Sequence, residues 1–278
     1  MYTTKKNFRP LCLNTPSLHH REFMWLNYTP SDRTGWLVNK NSIAELLTPV
    51  ILRKEHLKYQ GSAQAIKTST NAICRTDDYI VKIFAPEICG YAPIHDFRRE
   101  VYALELIETT KKIIVPRLIK HGLLEHYNYH FYYCIIERIH IPPVSQFLLS
   151  SSRNDIIKLG TKLKKTLEIF QSLNIDKPEL SKTTKVCNES VFVHSDLTGD
   201  NVLYDGKNLA VIDFEDWQFA PAYTELPAII FEMIHEHIDI ASLFLDIPYT
   251  ELKDKLFAGI NTHRTPNMFI KKYTDLFS

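Results

Sequence analysis

Net charge is almost absent from this sequence: thirty-three lysines and arginines stand against thirty-two aspartates and glutamates in 278 residues. A surface for nucleic acid or an anionic membrane needs a basic excess, so neither partner is expected. No apolar run approaches the roughly eighteen residues of a membrane span. Met1 to Asn14 also lacks the apolar core of a secretion signal. Cysteine is sparse and unpatterned. Five residues (Cys12, Cys74, Cys89, Cys134, Cys187), odd in number and without C-x-x-C, predict reduced thiols of a cytoplasmic protein. Glycine is scarce as well, with eight residues and no G-x-G-x-x-G anywhere. Metal-binding histidine patterns are missing too. His235-Glu236-His237 has its histidines two apart, on different helix faces, and His19-His20 has no partners at usable spacing. No internal repeat or low-complexity tract is present. What the chain does have is 45% hydrophobic residues, enough to bury the cores of two lobes.

The most informative stretch is Val193-His194-Ser195-Asp196-Leu197-Thr198-Gly199-Asp200-Asn201-Val202-Leu203, followed by Val211-Ile212-Asp213-Phe214-Glu215. It reads H-x-D-x-x-x-x-N, then a short hairpin, then an apolar strand ending in D-F-E. Phosphoryl transfer needs a carboxylate to orient and deprotonate the attacking hydroxyl, plus oxygen ligands for Mg²⁺. Asp196 fits the base, Asn201 a metal ligand and Asp213 the main metal ligand. The flanks agree: Val191 to Val193 and Val202 to Tyr204 read as strands, and Asp205-Gly206 as a hairpin turn before Leu209 to Ile212. A chance H-x-D serving an ordinary turn would not need that context.

These residues resemble the aminoglycoside phosphotransferase and choline kinase group, the small-molecule branch of the protein-kinase-like fold. The resemblance covers about residues 57–240. That family usually carries glycine where this chain has Ser195, a position whose backbone can require glycine's freedom. The resemblance implies an α+β, bilobal fold, with a small antiparallel N-lobe sheet and one key helix above a mainly helical C-lobe. It implies ATP and Mg²⁺ as cofactors.

An N-lobe of that kind must supply a lysine, its glutamate and a loop over the phosphates. Tyr79-Ile80-Val81-Lys82-Ile83-Phe84 is an alternating strand with one lysine inside it, costly unless the head is paired. Glu100 is the natural partner. It shares a helical face with Ala103, Leu104 and Ile107 in the stretch Asp96 to Glu108. Gly61 and Ser62, in the loop before a long polar strand from Ile66 to Arg75, are the candidates for backbone contacts to phosphate. Tyr129 to Ile136 is the strongest strand run, and Glu137 to Pro143 after it fits a hinge. By the resemblance, the backbone of Glu137 and Ile139 would pair with adenine.

The expected organisation is therefore an N-terminal extension over 1–50 packed on the small lobe, a nucleotide-binding lobe over 51–138, and a catalytic and substrate-binding lobe over 139–278. Asn41 to Leu47 could form a short helix in the extension. Residues 153–173 should form a core helix, with Ile156, Leu159, Leu163, Leu167 and Phe170 on one face.

The segment after Asp213 bears on the acceptor. Protein kinases carry a long activation segment there, whereas only Phe214 to Tyr223 precede the next helical run here. A small-molecule hydroxyl is the better acceptor. Ten acids and one base lie between Asp213 and Asp254, a field that would attract a cationic substrate. Glu225, Glu232, Glu236 and Asp239 form a helical stripe that reads as a solvated face. Glu215 and Asp216, just past the metal strand, are the better candidates to meet a substrate amine. The reading is an ATP-dependent O-phosphotransferase acting on a small, amine-bearing alcohol. Its alternatives are a kinase-like toxin or effector that phosphorylates a protein, and a nucleotide-binding pseudokinase acting by interaction. The presence of Lys82, Glu100, Asp196, Asn201 and Asp213 together argues against the last.

Overall fold

The computed structural model describes residues 31–126, 129–182, 189–234 and 238–277. The first described element is helix α1 (Arg33–Lys54), whose first turn is capped by the Asp32 carboxylate accepting from the Gly35 N–H at 2.8 Å. This helix is far longer than the Asn41 to Leu47 segment expected, and it runs through the expected boundary after residue 50. Its buried face is Trp36, Lys40, Ile43, Ala44, Leu47 and Ile51. A lysine in that stripe and Pro49 inside the helix hide the periodicity from a reading of the sequence.

Strands β1 (Gln64–Ile66), β2 (Ala72–Arg75), β3 (Tyr79–Ile83), β4 (Leu118–His126) and β5 (Tyr129–Glu137) form one antiparallel sheet in the order β1-β2-β3-β5-β4. Helix α2 (Pro93–Glu108) crosses between β3 and β4 in sequence. Strand alternation sends successive side chains of β3 to opposite faces. Val81 and Ile83 join the core under α1, together with Cys74, Phe131, Tyr133 and Ile135. On the other face Phe84 joins a second core, with Ala103, Leu104 and Ile107 of α2 and with the lower lobe. The sheet is thus a middle layer, covered by α1 on one side and by α2 on the other.

The lower lobe comes after β5. It holds α3 (Val144–Leu148), α4 (Arg153–Gln171), β6 (Ser190–Val193), β7 (Val202–Tyr204), β8 (Leu209–Val211) and β9 (Gln218–Pro221). Helices α5 (Ile238–Leu245), α6 (Tyr249–Thr262) and α7 (Pro266–Phe277) complete it. Two small antiparallel ladders, β6 with β9 and β7 with β8, set the ends of the motif against each other. The turn between β7 and β8 contains Gly206 at φ 91°, a left-handed position that suits glycine. The aromatic rings of Phe170, Phe192, Phe214 and Trp217 pack beneath this layer. The architecture is the expected α+β, two-lobed, kinase-like one. The stretch His235-Glu236-His237 lies outside the described residues, as do His19-His20, Cys12 and Cys187.

Candidate active site

The segment between β6 and β7 carries Asp196 and Asn201 and is pinned from several sides. His194 is fully buried, and burial lowers its pKa to about 4, so the ring is neutral. A neutral imidazole has one donor and one acceptor, and both are used. Nε2 pairs with the Ile212 carbonyl at 3.0 Å, and Nδ1 accepts from the Asp196 N–H at 3.3 Å. The loop is thereby tied to the strand that ends at Asp213. Ser195 sits at φ 67°, a conformation that costs a non-glycine residue about 1–2 kcal/mol. Its N–H donates to Glu225 at 3.0 Å, its hydroxyl accepts from Gln218 at 2.7 Å, and its carbonyl pairs with His263 Nε2 at 2.9 Å. These bonds offset the strain that glycine would have avoided.

Both carboxylate oxygens of Asp196 are engaged. Asn201 Nδ2 donates to Oδ2 at 2.8 Å and also to the Asp196 carbonyl at 2.9 Å. Arg264 Nη2 donates to Oδ1 at 3.0 Å. Burial raises the Asp196 carboxyl to about 6, with the Arg264 charge pulling the other way. Because Asn201 turns its amide nitrogen to Asp196, its amide oxygen is not spent on that carboxylate, and amide oxygens are ligands that hard cations accept.

Asp213 also lies in the left-handed region, at φ 67°. Its carboxylate contacts Lys82 Nζ, which pairs in addition with Glu100 at 3.3 Å and Glu215 at 3.0 Å. Burial works against the Lys82 charge, but Asp213, Glu100 and Glu215 together hold its pKa well above the ordinary value. Glu215 is pushed up by burial to about 8, against the pull of Lys82. In the ion pairs around the site, the carboxylates of Asp96, Glu100, Asp196, Asp213, Glu215 and Asp216 outnumber the cations Lys82, Arg99, Lys182 and Arg264 by two. With Glu215 raised to about 8 this count is not a net charge of two at neutral pH, but carboxylate oxygens are hard donors of the kind that suits Mg²⁺. Among the described residues no three acidic, histidine or cysteine side chains converge as a full cage. That also fits Mg²⁺, which takes one or two carboxylates and completes its shell with phosphate and water oxygens. Asp213 and Asn201 are the residues that could hold such an ion.

Glu225 departs from the solvated face expected of it. It is 2% exposed and accepts the N–H groups of both His194 and Ser195, and burial raises its carboxyl to about 8 despite those donors. The cause is local: the chain at Ala222–Glu225 and Ala228–Met233 is tightened and widened helix, respectively, which shifts the register of an ideal stripe. Glu225→Ala would leave two buried N–H groups without a partner and should cost about 2–4 kcal/mol of stability. Urea unfolding measures the loss, and turnover should fall with it because the Asp196 loop is released.

The remaining candidates divide. Lys82, Glu100, Asp196, Asn201, Asp213, Glu215 and Asp216 are brought together. Gly61 and Ser62 are not. The expected strand from Ile66 to Arg75 is broken into β1 and β2 by a turn at 67–71, so Gly61 precedes β1 at the opposite end of that hairpin. There a Cβ on Gly61 would meet the Asp77 carboxylate at 2.9 Å. The turn at 67–71 is the one that reaches the site, since Asn71 donates to Glu215 and accepts from the Ala85 N–H at 3.2 Å. At the hinge, the Glu137 N–H donates to the Arg117 carbonyl at 2.9 Å, while the Ile139 N–H donates to no described residue.

Glu215 and Asp216 are also not open to a substrate amine. Glu215 is held by Lys82 and Asn71. Asp216 pairs with Lys182 at 3.1 Å and Arg264 at 2.8 Å. Burial alone would raise the Asp216 carboxyl, and those two cations reverse it to below the ordinary value. Arg264, Lys182 and Asn71 are site residues that carry no signal in the sequence. Asn71 sits in the broken strand. The two cations come from segments outside any motif, 183–188 beside one of them being undescribed.

Residues 179–241 match a family model described as a phosphotransferase enzyme family, a span holding Asp196, Asn201, Asp213 and Glu225. Among solved structures, the ADP-bound aminoglycoside phosphotransferase APH(2'')-Ib superposes with a TM-score of 0.56 at 13% identity, over 82% of this chain and 96% of that one. The amicoumacin kinase hAmiN, in complex with AMP-PNP, Ca²⁺ and Ami, gives 0.57 at 12% identity, over 85% and 95%. The gentamicin complex of APH(2'')-IIa gives 0.57 at 11% identity, over 82% and 95%. The chain thus resembles the aminoglycoside phosphotransferases and shares their fold. No curated protein sequence matches it.

Proposed function

We propose that this chain is an O-phosphotransferase that moves the γ-phosphate of ATP to a hydroxyl of a small molecule in the cytoplasm. The observation that carries this reading is the grouping of Asp196 and Asn201 with Asp213, whose charge acts on Asp196, and of Asp213 with the Lys82–Glu100 pair. Asp196 takes the hydroxyl proton and orients the attacking oxygen. Lys82, held by Glu100, meets the phosphates, and the Ile139 N–H is offered to the purine. When bound at Asp213 and Asn201, Mg²⁺ supplies neutralisation of the phosphate charge.

A small acceptor is favoured over a protein because only Phe214 to Trp217 separate Asp213 from β9. β9 pairs at once with β6, leaving no free segment between Asp213 and β9 on which a peptide could dock. Support for an amine-bearing acceptor does not come from Glu215 or Asp216, whose charges are met within the protein.

The test is ATP consumption by the full chain with Mg²⁺ against aminoglycosides, amicoumacin-like compounds, choline-like amines, sugars and nucleosides. At least one hydroxyl compound is expected to raise turnover by an order of magnitude or more over water, and to gain one phosphate by mass. Labelling of a protein with no small molecule modified would overturn the acceptor class.

A further inference from the structure

Arg264 lies in the corner between α6 and α7, remote in sequence from every motif, yet its Nη2 bridges Asp196 Oδ1 at 3.0 Å and Asp216 Oδ2 at 2.8 Å. We infer that Arg264 is a positioning residue for the Asp196 carboxylate, an inference that rests on the phosphotransferase reading of Asp196.

A carboxylate turns freely about its last torsion unless both oxygens are held. Asn201 holds Oδ2 of Asp196 and Arg264 holds Oδ1, so together they fix the plane of the group. Asn201 alone would leave it hinged. The arginine is itself set rigidly. Its neighbour His263 is 5% exposed, pairs through Nε2 with the Ser195 carbonyl at 2.9 Å, and accepts the Thr265 N–H on Nδ1 at 3.1 Å. The same corner therefore grips the backbone before Asp196 and the side chain of Asp196. Asp216 is the third point, shared with Lys182, and keeps the guanidinium from swinging away.

Stability alone is a poor reason for this arginine. Its Nε is buried with no partner among the described residues, a cost of about 1–3 kcal/mol for a dry donor. Asp216 already has Lys182. Among the described residues, the contact that no other cation makes is the one to Asp196.

The test compares Mg²⁺-ATP turnover by the full chain for wild type, Arg264→Gln, Arg264→Lys, Asp196→Asn and the double variant Asp196→Asn with Arg264→Gln. Misplacing a reacting group by about 1 Å can cost on the order of a hundredfold. Arg264→Gln should thus lower kcat roughly ten- to a hundredfold, with KM for ATP within about twofold of wild type. Arg264→Lys, which keeps a charge but a single reach, should recover part of that loss. In the double variant Arg264→Gln should add little to the Asp196→Asn loss, because its effect passes through that carboxylate. Thermal melting keeps folding separate from chemistry, and if Arg264→Gln fails to fold, Arg264→Lys and Arg264→Met take its place in the comparison. Wild-type kcat in Arg264→Gln, or equal fractional losses with and without Asp196, overturns the positioning role. Wild-type turnover in Asp196→Asn instead overturns the reading beneath it, so the two failures are distinct.

Discussion

Asp196→Asn should reduce kcat by roughly a hundred- to ten-thousandfold, the range for loss of a positioned general base. The exchange does more than remove a proton acceptor. Asp196 now accepts from Asn201 on one oxygen and from Arg264 on the other. A carboxamide has one oxygen, so its amino group must face one of those donors and be repelled. The group therefore loses basicity and fixed orientation together. Nucleotide affinity should change far less, because Lys82, Glu100 and the hinge are untouched. Steady-state kinetics decide the matter: a large fall in kcat with KM for ATP nearly unchanged is expected, and near wild-type turnover would remove Asp196 from the mechanism.

Asp213→Ala has a different signature. Asp213 carries the most exposed of the three carboxylates on Lys82, at 34% against 18% for Glu215 and 1% for Glu100, and so is the one most open to a bound cation. Without it one of the three carboxylates on Lys82 is lost and, on the proposed reading, so is the main oxygen ligand for Mg²⁺. Calorimetry should show Mg²⁺-dependent ATP binding reduced by at least tenfold, with turnover lost. Folding should survive. Lys82 keeps Glu100 and Glu215, and the left-handed backbone at residue 213 is free to relax. If Mg²⁺-ATP binds this variant as tightly as wild type, the metal site lies elsewhere.

Much of this site was legible because its chemistry is local in sequence. The motif from His194 to Asn201 and the strand end at Asp213 are separated by one hairpin, and the hairpin has its own turn signal. Lys82 and Glu100 were legible for a different reason, since a charge on an apolar strand and a charge on an apolar helix face each call for a partner. What escaped notice is set by tertiary packing. Arg264 looks like any surface arginine until the α6–α7 corner is folded against Asp196. Glu225 reads as solvated on an ideal helical stripe, whereas the backbone there is irregular. Gly61 drew notice as a glycine in a loop. The turn that reaches Glu215 has no glycine and was hidden inside a run of β-branched and polar residues. Asp216 shows the limit of counting charges: an acid beside a cleft can be fully occupied by the protein's own cations.

The layer that α1 adds outside the sheet has a mechanical consequence. Trp36 Nε1 donates to the Thr70 carbonyl at 2.7 Å, and Lys40, 5% exposed, reaches the Thr68 carbonyl and its hydroxyl, the latter at 3.0 Å. Both anchors are on the turn at 67–71, whose Asn71 touches Glu215 on the other side. The turn is thus strung between an outer helix and the carboxylate cluster, like a latch with its handle on the far side of a door. Leverage on α1 is leverage on that turn, and through Asn71 on the carboxylate cluster. A shift of α1 would therefore be felt at Glu215 and at its Lys82 partner.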